Sequence, residues 1–373
     1  MKRILTIGSA TKDIFITYKK AQNMDLYLDE GRRSFLIFED GKKVEIEALE
    51  YHTGGGATNT AVGLARLGHE VSAFFKIGKD QEGAYVLESL KANHVDARFA
   101  LVSADVPTAT SFVMPTTGGN RVVLVHRGSH VTLSADEIPD EAVRQSDLVY
   151  ITSLSGQTAN LLLPIVQGAK QHGKVVVVNP GTSQMAVGSH ILCASMSSID
   201  ILTLNAAEAC HCMAAMVQSD PELQMRMLQK EHHTQYNSMP SLLKGKLTHQ
   251  GMCFSLYRFF EEVHAHGVKV VIVTNGKEGV YVSHERRIYF HPSLSVPVVS
   301  TLGAGDAFGS GFVGMYTQGY SIQDSIRAGM LNSASVIGHI GAKTGLLTLE
   351  YMHVKLQAII KEMLQEYPIE HNN

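Results

Sequence analysis

Ser300-Thr-Leu-Gly-Ala-Gly-Asp-Ala-Phe308 is the stretch that decides how this chain is read. Residues 296–299 before it read as a short extended segment. After it, Phe308, Phe312, Val313 and Tyr316 mark one face of a helix. Gly303 and Gly305 permit a tight turn that leaves the first amides of that helix pointing outward. Unpaired N–H groups at the positive end of a helix dipole suit a phosphate oxygen. Gly303, Ala304 and Gly305 are therefore a candidate anion hole. Asp306 beside them is a candidate base for a hydroxyl attacking a phosphoryl group. Taken alone, an Asp in such a turn is more simply a helix cap. The rest of the chain shifts that balance.

Gly54-Gly55-Gly56-Ala57-Thr58-Asn59 opens a second helical run (Ala61, Leu64, Ala65, Leu67) that stops at Gly68. Three glycines let a ligand approach the backbone, and Asn59 offers donor and acceptor groups to hydroxyls. Asn205-Ala-Ala-Glu208 follows an apolar strand over 199–204 and sets an amide and a carboxylate one helical turn apart. Thr274-Asn-Gly-Lys-Glu-Gly279 follows a strand over 268–273. Open α/β sheets bind ligands at such strand ends. Each of these two motifs alone is equally a cap or a turn.

In this order the pieces resemble the ribokinase-like (PfkB) carbohydrate kinases, over essentially the whole chain. The early signature of that family, Gly-Gly-Ala-x-Asn-x-Ala with two later glycines, is matched by Gly55 to Ala61, Gly68 and Gly78. The late one, Asp-Thr-x-Gly-Ala-Gly-Asp-x-Phe, is matched from Thr301 to Phe308, with Ser300 at its first position. The resemblance implies an α/β fold: a three-layer sandwich with a mostly parallel central sheet, helices on both faces, and a small β-sheet lid. It implies ATP and Mg²⁺, with a sugar or sugar-like alcohol as acceptor. It gives Asp306 the role of base, with the 303–306 amides holding the transferred group. Asn205 and Glu208 are assigned to phosphate and Mg²⁺-bound water, Thr274, Gly276 and Gly279 to the nucleotide loop, and Asn332 to the adenine. Asp13, Gly55, Gly56 and Asn59 are assigned to the acceptor. Arg127 either returns from the lid to the substrate or is an ordinary surface residue. In relatives the lid is often a dimerisation surface, which leaves a homodimer open.

Three departures narrow the reading. The lysine that ribokinases carry in the early glycine motif is missing, and no acid follows Ile151-Thr-Ser-Leu-Ser155. Ribose is therefore not the expected acceptor. Ser300 replaces an Asp that often binds a monovalent cation, and a neutral hydroxyl is the poorer ligand, which counts against K⁺ activation.

Composition agrees with one kinase domain over 1–373: the hydrophobic fraction is 45% and the charged fraction 18%, enough for a large core. A net charge of -3 without basic runs gives no electrostatic case for nucleic acid. The absence of an 18-residue apolar run or a signal pattern gives the expectation of a cytoplasmic protein with no membrane partner. Cys210-His211-Cys212 has the wrong spacing for structural zinc and reads as thiols in a helix. Strands are expected at 3–8, 71–77, 147–152, 174–178, 199–204 and 268–274. Helices are expected at 80–92, 157–172, 322–337 and 349–366. Residues 14–52 and 107–127 alternate like exposed sheet and are the expected lid. Residues 209–266, rich in Met, Gln and His, read as a surface insertion, with a lid extension or oligomer contact as the alternative.

A sugar kinase is favoured. A nucleoside kinase of the same fold is the alternative, kept open by Phe15, Tyr18, Phe35 and Phe38. A non-catalytic sugar- or nucleotide-binding regulator has no use for Asp306. A dinucleotide-dependent oxidoreductase lacks its Gly-x-Gly-x-x-Gly after the first strand.

Overall fold

The fold is given by a computed structural model that describes residues 1–18, 22–28, 31–116, 121–186, 189–227, 239–249, 251–359 and 363–369. Arg3–Ile7, Glu70–Phe74, Leu148–Ile151, Val175–Val178, Ile201–Asn205 and Val270–Thr274 pair in parallel. Gly279–His284, Arg287–Pro292 and Gln365–Pro368 extend one edge antiparallel, completing a nine-stranded sheet. Successive side chains of a strand point to opposite faces, and here they feed two separate cores. Leu5, Ile7, Val149, Ile151 and Val176 enter one, with the helices Leu162–Gln171, Ala206–Ser219 and Leu256–Ala265. Ile4, Leu148, Tyr150, Val177 and Val270 enter the other, with Gly56–Arg66, Ala304–Tyr316 and Ile322–Ile337. Burial on both faces is why these strands read as continuous apolar runs.

Arg3–Ile7 lies between Glu70–Phe74 and Leu148–Ile151, so the strand order switches there. Such a switch opens a crevice beyond the carboxyl end of the strand, where open α/β sheets bind ligands. A four-stranded sheet begins at that end. Its order is Arg121–His126, Ala109–Pro115, Thr11–Tyr18, Ile46–Gly54. One face turns Phe15 and Val113 inward, at 6% and 1% exposure. The other carries a cross-strand row of Tyr51, Ile14, Phe112 and Leu124, of which Tyr51, Phe112 and Leu124 are exposed. Among the described residues no helix is long and apolar enough to cross a membrane.

The elements differ from the sequence expectations in two places. The helix expected over 349–366 ends at Ala358, where Ile359 turns extended, and Gln365–Pro368 becomes an edge strand on Arg287–Pro292. Residues 296–299, read as an extended segment, join no sheet, and the amides of Val299 and Ser300 bond the Ile337 carbonyl. Much of 209–266 is core rather than surface. Cys212, Met213, Leu223, Phe254, Leu256, Phe259 and Phe260 are all fully buried, and Leu256–Ala265 is the crossover helix before Val270–Thr274. Residues 228–238 and 250 of this stretch lie outside the described residues.

Candidate active site

The helix Ala304–Tyr316 starts from Gly303, which holds a left-handed φ of 78°. A Cβ added there would lie 2.4 Å from the Ala342 side chain, so backbone shape and space both demand glycine. No side chain caps this helix. The Ala304 amide makes a long 3.4 Å bond to the Thr301 carbonyl, and those of Gly303, Gly305 and Asp306 bond no described residue. At Gly305 an added Cβ would meet nothing within 4 Å. The turn therefore presents free amides to open space, as an anion site requires.

Asp306 stands at the inner edge of this turn. Its Oδ2 accepts a 2.8 Å bond from the Asn59 Nδ2, so the two glycine motifs meet across 247 residues. Asn59 is buried on the helix Gly56–Arg66, and its Oδ1 finds no partner among the described residues. Burial pushes the Asp306 carboxyl up to about 6; the Asn59 amide and Lys343 oppose that, and Asp13 adds to it.

Asp13 closes the acceptor side. It is 5% exposed, and its Oδ1 accepts from Thr11 Oγ1 at 3.0 Å and Ser111 Oγ at 2.5 Å. Its other oxygen faces Gly54, where a Cβ would sit 1.9 Å away. Gly55 and Gly56 are packed against Ser9 and Thr152, so the neighbours they admit are the strand ends of the protein itself. Arg127 is exposed and donates to Ser155 Oγ at 2.6 Å, bridging the small sheet to the loop after Leu148–Ile151.

On the far side of the turn lies a cavity of about 410 Å³. Thr274, Gly276 and Gly279 line one wall, Ala304 and Gly305 the end nearest Asp306, and Phe308, Met330 and Ile337 an apolar floor. Asn332 does not reach it. That residue is fully buried, donating to the Ala307 carbonyl at 2.8 Å and accepting from the Leu347 amide at 2.9 Å. Both ends of its amide are thus engaged within the fold, while Met330, Ser333 and Ala334 of the same helix face the cavity. Asn205 and Glu208 form a reciprocal capping box at the start of Ala206–Ser219, with bonds of 2.9 and 2.8 Å. One Glu208 oxygen is left over, and burial raises its carboxyl above the usual range.

Two cations at this site carry no sequence signal. Lys343, in Gly341-Ala-Lys-Thr-Gly345, reads as a loop lysine but is 9% exposed, with its ammonium on Thr53. Arg121 starts its strand on the small sheet and donates from Nη1 to Thr301 Oγ1, at the rim of the cavity. It pairs with no carboxylate among the described residues, and burial alone lowers its guanidinium.

The residue pattern described as "pfkB family carbohydrate kinase" matches 19–237 and 256–349 of this chain. The chain belongs to that family. It is thus a carbohydrate kinase, a phosphotransferase with an alcohol group as acceptor. A ribokinase of Staphylococcus aureus (strain COL) is 22% identical over 355 residues, 93% of this chain and 97% of that protein. The fold is shared with a ribokinase of Cryptococcus neoformans var. grubii serotype A solved with ADP. Its TM-score is 0.70 at 19% identity, covering 95% of this chain and 100% of the other. It is shared too with a Burkholderia thailandensis nucleoside kinase solved with inosine. There the TM-score is 0.69 at 17% identity, covering 95% and 98%. The central sheet, the helices on both faces and the smaller sheets are thus the ribokinase-like fold of the pfkB kinases.

Proposed function

We propose that this pfkB-family chain transfers the γ-phosphate of ATP to a hydroxyl of a sugar or sugar-like small molecule, with Asp306 as the base. The observation that carries this is the placement of Asp306. It touches Asn59 on the acceptor side and stands in the same turn as the unbonded amides that face the cavity.

In this reading Asp13 and Asn59 hold the acceptor by its hydroxyls. Asp306, with its proton affinity raised by burial, takes the proton of the attacking hydroxyl. The amides of Gly303, Ala304, Gly305 and Asp306 receive the charge that builds on the transferred group, a contribution of about 3–4 kcal/mol per well-placed donor. Arg121 adds a cation at the rim, without an acid to neutralise it first. The nucleotide lies in the apolar-floored cavity between Gly276 and Met330. Mg²⁺ fits the donor set. Among the described residues no group of three His, Cys, Asp or Glu side chains could cage a metal. Mg²⁺ in kinase sites keeps several waters and takes one or two carboxylates plus substrate phosphates. Glu208, with one oxygen outside the capping box, would supply that carboxylate, and the ion would neutralise phosphate charge.

Two results are expected from the acceptor side and the turn. Asp13→Ala and Asn59→Ala should each weaken acceptor binding by about 1.5–3 kcal/mol while ATP affinity stays within about threefold. Isothermal titration with each substrate checks this. Equal weakening of both substrates would make these residues supports of the fold. Ser300 accepts a 3.3 Å bond from the Leu302 amide and brings no charge to a cation. Exchanging K⁺ for a bulky organic cation at constant ionic strength should therefore change turnover less than about threefold. A strong K⁺ requirement would show that main-chain oxygens suffice without the carboxylate.

A further inference from the structure

We infer that Lys343 is a positioning residue: its ammonium, set between the acceptor wall and the anion turn, keeps Asp306 ionised in the presence of Asp13. The inference rests on the reading of Asp306 as the base. Two contacts fix where the ammonium sits. Ala342, the preceding residue, packs against Gly303 at the start of the anion turn. Lys343 Nζ donates to the Thr53 carbonyl at 2.8 Å and to Thr53 Oγ1 at 3.0 Å. The next residue of that strand, Gly54, lies directly against Asp13 Oδ2. Residues 342–343 thus bridge the phosphoryl side of the site to its acceptor side.

A buried ammonium held by two neutral oxygens is costly unless opposite charge is near. Lys343 makes no ion pair among the described residues, so its compensation comes through space from Asp13 and Asp306. Burial pulls it down to about 7, and those two carboxylates push back. The charged and titratable groups around it come from five elements. They are Asp13 on Thr11–Tyr18, Asp306 on Ala304–Tyr316, His52 on Ile46–Gly54, Arg66 at the end of Gly56–Arg66, and Tyr85 on Gln81–Ala92. The Arg66 guanidinium bonds the Lys343 carbonyl, at 3.3 Å, and anchors the loop.

The physical consequence concerns the two carboxylates. Two acids sharing a low-dielectric site cannot both ionise easily, and one takes up a proton. A protonated Asp306 cannot accept the hydroxyl proton. Asp13 is held by two hydroxyl donors, whereas Asp306 has one amide, so the proton would settle on Asp306. The positive charge of Lys343 opposes that through space.

The test reads ionisation directly, without any substrate. In protein carrying [13Cγ]Asp, the Asp306 signal is assigned by its loss in Asp306→Asn and followed by NMR against pH. Lys343→Met and Lys343→Gln should both raise its midpoint by about one pH unit, as removal of a nearby unit charge in a medium of intermediate dielectric predicts. Gln keeps a donor for Thr53, so a role in hydrogen bonding alone would leave the Gln variant unshifted. Thr53→Val breaks one anchor, keeps the charge and should leave the midpoint in place. The reciprocal measurement needs no change at Lys343: in [13Cε]Lys protein, Asp306→Asn should lower the Lys343 midpoint. Midpoints of Asp306 unmoved in both Lys343 variants, or of Lys343 unmoved in Asp306→Asn, would overturn the inference. Full turnover by Asp306→Asn would instead remove the base reading and leave these shifts as they are.

Discussion

Asp306→Asn is expected to lower turnover by roughly 10²–10⁴-fold while nucleotide binding changes by less than about threefold. The amide keeps the size of the side chain and can still accept from Asn59, but it cannot take a proton. The same substitution has an opposite effect on stability. Burial pushes the Asp306 carboxyl from its ordinary value of 3.8, kept in the unfolded chain, up to about 6 in the folded one. Between those values the folded state binds the extra proton, so its stability falls as pH rises through the window from about 4 to 6. Above it, the ionised group is a standing cost of the fold. Asp306→Asn should therefore melt higher than the unaltered protein at pH 7.5, with the difference closing below about pH 4. Thermal melts at the two pH values and steady-state kinetics check both halves. Near-normal turnover would mean that Asp306 is not the base; equal melting at pH 7.5 would mean that its charge is not strained.

The second large effect separates the two glycines of the turn. Gly305→Ala should cut kcat/KM for ATP by roughly 10²–10³-fold, the scale of losing one preorganised amide. The protein itself leaves that space empty, with no atom within 4 Å of the new Cβ. Alanine also suits a helix better than glycine by about 0.5–1 kcal/mol, so the melting temperature should hold or rise. Gly303→Ala is expected to behave differently. It forces a side chain into left-handed backbone, which costs about 1–2 kcal/mol, and drives it into Ala342. Its melting temperature should drop along with its activity. If both variants lose stability alike, the open space at Gly305 is not a ligand site.

Much of this was legible because the site is built from short motifs at the ends of strongly patterned elements. Gly55 to Asn59 and Gly303 to Asp306 were visible as glycine turns before helices, and the structure joins them through Asn59 and Asp306. The parallel strands announced themselves as apolar runs. What sequence periodicity could not show was partnership across distance. Gln365–Pro368 became a strand because Arg287–Pro292 offered it an edge. Asn332 was assigned to the adenine by the resemblance, but its side chain is engaged inside the fold by the Ala307 carbonyl and the Leu347 amide. Lys343 stands on a loop-like stretch and Arg121 on an exposed sheet, where charge is the ordinary reading, and their place at the site depends on Thr53 and Thr301. Residues 209–266 looked like an insertion by length, while their Met and Phe side chains were filling the core.

Product identity tests transfer of a phosphoryl group to an alcohol most directly. The purified chain is incubated with ATP and Mg²⁺ against separate panels of sugars, sugar acids and nucleosides, and the products are followed by ³¹P NMR. A phosphate monoester should form one-for-one with ADP from at least one sugar or sugar-like acceptor, and should be lost in Asp306→Asn. Monoester from nucleosides alone would move the substrate class to nucleosides and keep the mechanism. ATP consumed with free phosphate as the sole product, or no consumption with any acceptor, would contradict phosphoryl transfer to a sugar-like alcohol.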